Sequence, residues 1–145
     1  MTTQNATAEV QVNNSPQAVI DYIAIIENRP SYLPSLKSVT NITGDSVGAS
    51  WTWCWSLLGI DFEGTATCTQ HEPGQSYAFK TEGGIESTFT YLAEADGTGT
   101  KLTIRVDFEL PASILSLAGL DGLLASAKQK EIETVTENLK TILNQ

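Results

Sequence analysis

The chain is poor in the residues that catalytic and metal chemistry most often uses. One histidine, His71, and two cysteines, Cys54 and Cys68, are spread over 145 residues. A single histidine supplies no Ser-His-Asp or Cys-His set without partners that no motif identifies, and no His/Cys cluster has zinc spacing. Neither a metal nor a cofactor is expected. Basic residues are also scarce: 8 Lys and Arg stand against 17 Asp and Glu, a formal net charge of -9. Nucleic-acid binders displace counterions with clustered cations. No basic stripe occurs here, so nucleic acid and anionic membranes are not expected partners, and the acidity serves solubility. Apolar runs are short. None approaches the roughly 20 residues that span a bilayer, and the opening MTTQNATAEV lacks the basic region and apolar stretch of a secretory signal. The expectation is a cytoplasmic protein with reduced thiols and no stable membrane insertion. The GTGTKL stretch at 97–102 has neither the length of a phosphate loop nor a following helix, and reads as a hairpin turn.

What is present is alternation. Val10 and Val12 place a first strand at 8–14. Ser15 followed by Pro16 signals a helix start, and Val19, Ile20, Ile23 and Ile26 recur at helical spacing until Pro30 stops the helix. RPSYLPSL reads as a short second helix or turn presenting Tyr32, Leu33 and Leu36. Turn residues then punctuate six strands near 37–43, 49–57, 60–71, 75–82, 86–95 and 100–110. Short connections imply antiparallel hairpins. After Pro111 the helical period returns: Leu117, Leu120, Leu124 and Ala127 form a stripe that Val135, Leu139 and Ile142 continue, with a kink or late start expected at Gly119 and Gly122. The expected fold is α+β in a single domain over 1–145: a curved seven-stranded antiparallel sheet wrapped around a long C-terminal helix, with two short helices after the first strand.

All three tryptophans fall in SWTWCWSLLG, at 51, 53 and 55. Alternate strand residues share a face, so Trp51, Trp53, Trp55 and Leu57 point one way and the small Thr52, Cys54 and Ser56 the other. A two-residue turn at Leu58-Gly59 pairs Leu57 with Ile60, Trp55 with Phe62, Trp53 with Gly64 and Trp51 with Ala66. This register sends Cys54 outward opposite Glu63 and Cys68 inward, which excludes a disulfide between them. Tyr77 and Phe79 alternate, as do Phe89 and Tyr91, and a three-residue loop through Ile85 sets Phe79 and Phe89 on one face. Leu102, Ile104, Val106 and Phe108 alternate against Thr103, Arg105, Asp107 and Glu109. Aromatic rows of this kind usually fill a core. Three indole donors and two phenols need acceptors, however, and Gly64 and Ala66 leave space opposite, as in an apolar cavity with a few polar points. The pattern alone fits either.

The segments WSLLGIDFEGTATCTQHEPGQSYAFKTEGGIESTFTYL, GTGTKLTIRVDFELP and ENLKTIL, with the opening VNNSPQAVIDYIAIIENRPSYLPSLKSV, resemble the polyketide cyclase/dehydrase-like branch of the START-like (SRPBCC) superfamily. That superfamily includes birch-pollen-allergen-type proteins and lipid-transfer domains. The resemblance implies a helix-grip fold enclosing a hydrophobic cavity between sheet and helix. The expected lining is Trp51, Trp53, Trp55, Phe62, Tyr77, Phe79, Phe89, Tyr91, Ile104, Val106 and Phe108 from the sheet, with Leu120, Leu124 and Ala127 from the helix. The expected ligand is a hydrophobic or aromatic small molecule such as a lipid, quinone or polyketide. The alternatives are a cyclase/dehydrase-type enzyme and a protein-interaction module packing through Leu115, Leu120 and Leu123; a monomer or a homodimer fits each. No catalytic motif carries over. His71 reads as an exposed turn residue, Asp61, Glu63, Asp107 and Glu109 as solvated, and Glu131 as a charge on the helix flank, or else one reaching the cavity between Ala127 and Val135.

Overall fold

A computed structural model describes residues 3–44, 46–57, 60–83, 86–109 and 120–144, giving only the backbone course at 3, 4, 57, 60 and 120–128. The strands are β1 (Thr3–Val12), β2 (Leu36–Thr43), β3 (Ser50–Leu57), β4 (Ile60–Glu72), β5 (Ser76–Gly83), β6 (Glu86–Asp96) and β7 (Gly99–Glu109). They form one antiparallel sheet in the order β1-β7-β6-β5-β4-β3-β2. Consecutive strands from β2 to β7 are neighbours, as short turns require. β1 and β2 lie at opposite edges, so the chain between them must cross the sheet. It does so as α1 (Pro16–Ala24), a 3-10 turn (Ile26–Asn28) and α2 (Arg29–Tyr32). The helix α3 (Leu120–Leu143) closes the domain. The architecture is the expected α+β, helix-grip-like arrangement.

Two boundaries differ from the sequence reading. β1 begins at Thr3, five residues before the expected position, because it pairs along β7 from Thr3↔Glu109 to Val12↔Thr100. The described inner-face residues before Val10 are Ala6 and Ala8, too small to give an alternation signal. Pro30 does not stop α1. The chain has already turned at Ile25, whose backbone is extended (φ -77°, ψ 109°), and Pro30 sits in the first turn of α2, where its missing N–H costs nothing.

The start of α1 matches its sequence signal. Ser15 Oγ accepts from the Ala18 N–H at 3.1 Å, with Pro16 at the first helical position. The helix buries Val19, Ile20 and Ile23. Ser15→Ala is expected to cost about 1 kcal/mol, read as a lowered urea midpoint with unchanged slope; an unchanged midpoint would mean that this cap contributes nothing.

α3, described from Leu120 onward, buries Ile132, Val135, Leu139 and Leu143. It lies chiefly against β1, with contacts to β7 and α2. Polar clamps fix it there. The Gln129 side-chain amide donates to Thr7 O at 3.1 Å and its carbonyl accepts from the Thr7 N–H at 3.3 Å. Asn144 Oδ1 accepts from the Asn13 N–H at 2.7 Å, and Asn138 Nδ2 donates to Tyr32 O at 3.3 Å. The Gln129 pair occupies backbone groups on edge strand β1 that would otherwise offer a template for further pairing. Leu115 and Leu117 lie outside the described residues, as do the side chains of Leu120, Leu123, Leu124 and Ala127. Among the described residues no helix is long and apolar enough to cross a membrane.

Candidate functional site

The register of β3 on β4 is the one the turn at 58–59 dictates: Trp51↔Ala66, Trp53↔Gly64, Trp55↔Phe62 and Cys54↔Glu63. The three indoles therefore share the inner face, each less than a tenth exposed. Cys54 and Cys68 are free thiols. Gly64 has a different role from the one expected. A Cβ there would stand 2.6 Å from Trp53 Cζ2, so the indole itself fills the space over the glycine. The Trp53 Nε1–H donates to Thr65 O at 2.9 Å. That donor is satisfied within the sheet and is not held out to a guest.

Opposite this row, Phe79 pairs with Phe89 across β5 and β6, the same-face arrangement that a three-residue loop allows. Their rings stack 4.8 Å apart at 10°. Trp51 meets Phe79 edge-on at 5.3 Å, and Trp55 meets Phe89 at 6.1 Å. These rings line a partly open cavity with about 30 Å³ open to the centre of a water-sized sphere. Its lining is Arg29, Leu33, Leu36, Trp51, Trp53, Trp55, Phe79, Thr81, Ser87 and Phe89. The Thr81 and Ser87 hydroxyls bond to each other at 2.6 Å, making the polar point of an apolar wall.

Tyr77, Tyr91, Ile104, Val106 and Phe108 are buried on the inner face of the sheet and are not among the described residues around this cavity. Phe62 is half-buried and packs against the hydrophobic core. The side chains of Leu120, Leu124 and Ala127 fall outside the described residues.

Sequence reasoning missed Arg29. Its side chain is 1% exposed, and its guanidinium carbon lies 4.4 Å from the Trp51 ring centre, 4.5 Å from Phe79 and 5.1 Å from Tyr77. Nη2 donates to Ile23 O over a long 3.4 Å. Nε and Nη1 have no hydrogen-bond partner. Burial works against the charge, but the phenols of Tyr32, Tyr77 and Tyr91 outweigh it and hold the pKa above the usual arginine value. The same burial raises those phenols, Tyr32 and Tyr77 to about 12 and Tyr91 well above its ordinary value, with the guanidinium pulling each part of the way back. Arg29 is one of only two arginines in the chain; before Pro30 it reads as a loop cation. Thr81 and Ser87 were missed as well, although each lies two residues from a cavity phenylalanine on the same strand face.

His71 is not the exposed turn residue expected. β4 pairs with β5 as Cys68↔Phe79 and then Gln70↔Ala78, so Thr69 is an extra, bulged residue. The bulge reverses the strand's parity and turns His71 onto Tyr77, ring centres 5.4 Å apart. Glu131 is no flank charge either: it is 7% exposed and acts electrostatically on Tyr91. The outer face carries Arg105, bonded to Asp107 at 2.9 Å, and Lys101, paired with Glu9 at 3.3 Å.

A family profile described as polyketide cyclase/dehydrase and lipid transport matches residues 3–144. No curated protein matches the sequence. Among solved structures, a protein from Thermus thermophilus superposes with a TM-score of 0.83 at 18% identity, 96% of each chain being covered. A START superfamily protein from Mycobacterium smegmatis gives 0.78 at 12% identity over 97% of each chain. The Zhui aromatase/cyclase from Streptomyces sp. R1128 gives 0.75 at 15% identity, over 98% of this chain and 94% of that one. At these identities the likeness is one of fold.

Proposed function

Because the chain belongs to the polyketide cyclase/dehydrase and lipid transport family, we propose that it binds a hydrophobic or aromatic small molecule between its sheet and its helices. The observation that carries this reading is the convergence of five rings, from Trp51, Trp53, Trp55, Phe79 and Phe89, on one cavity with a single buried hydroxyl pair. Large rigid rings with a few placed polar groups suit a small-molecule site. Among the described lining residues the one ionisable group is Arg29. Arginine does not give up its proton in proteins, which favours binding over acid–base catalysis at this cavity.

With excitation beyond the tyrosine absorption band, the intrinsic emission comes only from the three tryptophans of the cavity wall. Titration with lipids, quinones and aromatic polyketides is expected to change it saturably for at least one class. Arg105→Gln, on the outer face, is expected to leave the affinity within about threefold, since an exposed ion pair contributes little. Emission that stays flat across the panel would sink the reading. A large loss in Arg105→Gln would place the ligand on the wrong face of the sheet.

A further inference from the structure

A guanidinium buried without an acidic partner is an unfinished arrangement. Arg29 cannot shed its proton, and an uncompensated buried charge is costly. Three ring faces offset part of that cost through cation–π attraction. They do not complete its hydrogen bonding: the Tyr77 and Tyr32 hydroxyls lie near enough to act on the guanidinium as hydrogen-bond partners, yet neither Nε nor Nη1 meets an acceptor in good geometry. The largest electrostatic influences on the guanidinium are tyrosines, not a carboxylate. Among the described residues no ion pair involves Arg29.

Arg29 is part of the cavity lining, so its buried guanidinium stands beside the place where a guest would sit. We propose that the guest carries a carboxylate on a flat apolar body, and that Arg29 is the residue that binds this carboxylate. The proposal rests on the reading of the cavity as a ligand site. Arginine presents its donors as a planar fork that matches two carboxylate oxygens. Size agrees. A water needs about 10–15 Å³ by this measure of volume, so the 30 Å³ beside the guanidinium takes two oxygen-sized groups but no ring. The apolar body must part the tryptophan wall as it enters. Water alone would fill the space and leave the positive charge uncompensated.

Calorimetric titration with cinnamate and with its neutral isostere cinnamamide tests the idea. The wild-type protein is expected to bind cinnamate at least about tenfold more tightly, the scale of a charge-assisted hydrogen bond. Arg29→Gln is expected to erase the difference by weakening cinnamate while leaving cinnamamide nearly unchanged, and Arg29→Lys to keep part of it. A second measurement needs no variant: wild-type affinity for cinnamate should fall as pH drops through the ligand's own pKa, with the circular dichroism unchanged. Equal binding of acid and amide by the wild-type protein would overturn the carboxylate proposal and leave the hydrophobic-ligand reading standing. Binding of neither would overturn the carboxylate proposal, and the hydrophobic-ligand reading would then stand or fall on the emission titration. Acetate that competes with cinnamate at equal concentration would make this a site for free anions and overturn the assignment to a guest's head group.

Discussion

Gly64→Ala is expected to destabilise the domain by about 3 kcal/mol, the upper end of what overpacking costs. The added Cβ falls on the Glu82 carbonyl oxygen and stands 2.6 Å from Trp53 Cζ2. A flexible side chain would yield, but a strand carbonyl is held by its ladder. The facing residue, Gly83, is held in the left-handed region at φ +107°, where a side chain would be strained, and a Cβ built on it lies 2.8 Å from Gly64 Cα. The two glycines thus mark where β4 and β5 pass closest, with the Trp53 indole laid over the crossing. Urea midpoints measure the cost. Trp53→Leu in the same chain should recover only part of it, because the carbonyl contact remains. A Gly64→Ala protein within about 0.5 kcal/mol of wild type, the range of an ordinary surface change, would mean that the strands do not approach this closely.

The parts of the fold legible in the sequence were those set by period and turn length. Three tryptophans at alternate positions and a two-residue turn fix Trp55 against Phe62 and every pair beyond it. Phe79 and Phe89 needed one choice of loop length, made because a sheet needs one apolar face. Where side chains are small the signal fades, as in the alanine half of β1. The site was less legible because alternation reports a face and not a void. It places Trp53 inward without saying that the indole fills the space above Gly64. It counts residues evenly, so the bulge at Thr69 that turns His71 onto Tyr77 escapes it. Arg29 escapes it altogether. Its burial depends on α2 bringing it over rings of β3 and β5, a tertiary event with no local pattern.

The buried phenols around Arg29 are expected to make the protein unusually sensitive to alkali. Desolvation raises Tyr32 and Tyr77 to about 12 in the folded state, against an ordinary 10.0, and raises Tyr91 well above its ordinary value. Below pH 10 the folded and unfolded chains both keep these protons, and stability is unaffected. Between pH 10 and 12 the unfolded chain releases them while the folded chain holds them, so the unfolded state gains and stability falls as pH rises. Two units at about 1.4 kcal/mol each amount to roughly 3 kcal/mol per phenol. Tyr32 and Tyr77 together forfeit about 4–5 kcal/mol by pH 12, and Tyr91 adds to it. That is comparable to the whole stability of a small domain, roughly 5–15 kcal/mol. Phenolate absorbance should therefore rise for Tyr32, Tyr77 and Tyr91 in one cooperative step, together with loss of the circular dichroism. Arg29 provides the control. Its charge lowers all three phenols, so Arg29→Met should raise them further and carry the loss of stability on to higher pH, at the same slope per phenol. Ionisation of all four tyrosines near pH 10 with the circular dichroism intact would show that the phenols are hydrated, and that no ring-lined guanidinium lies among them.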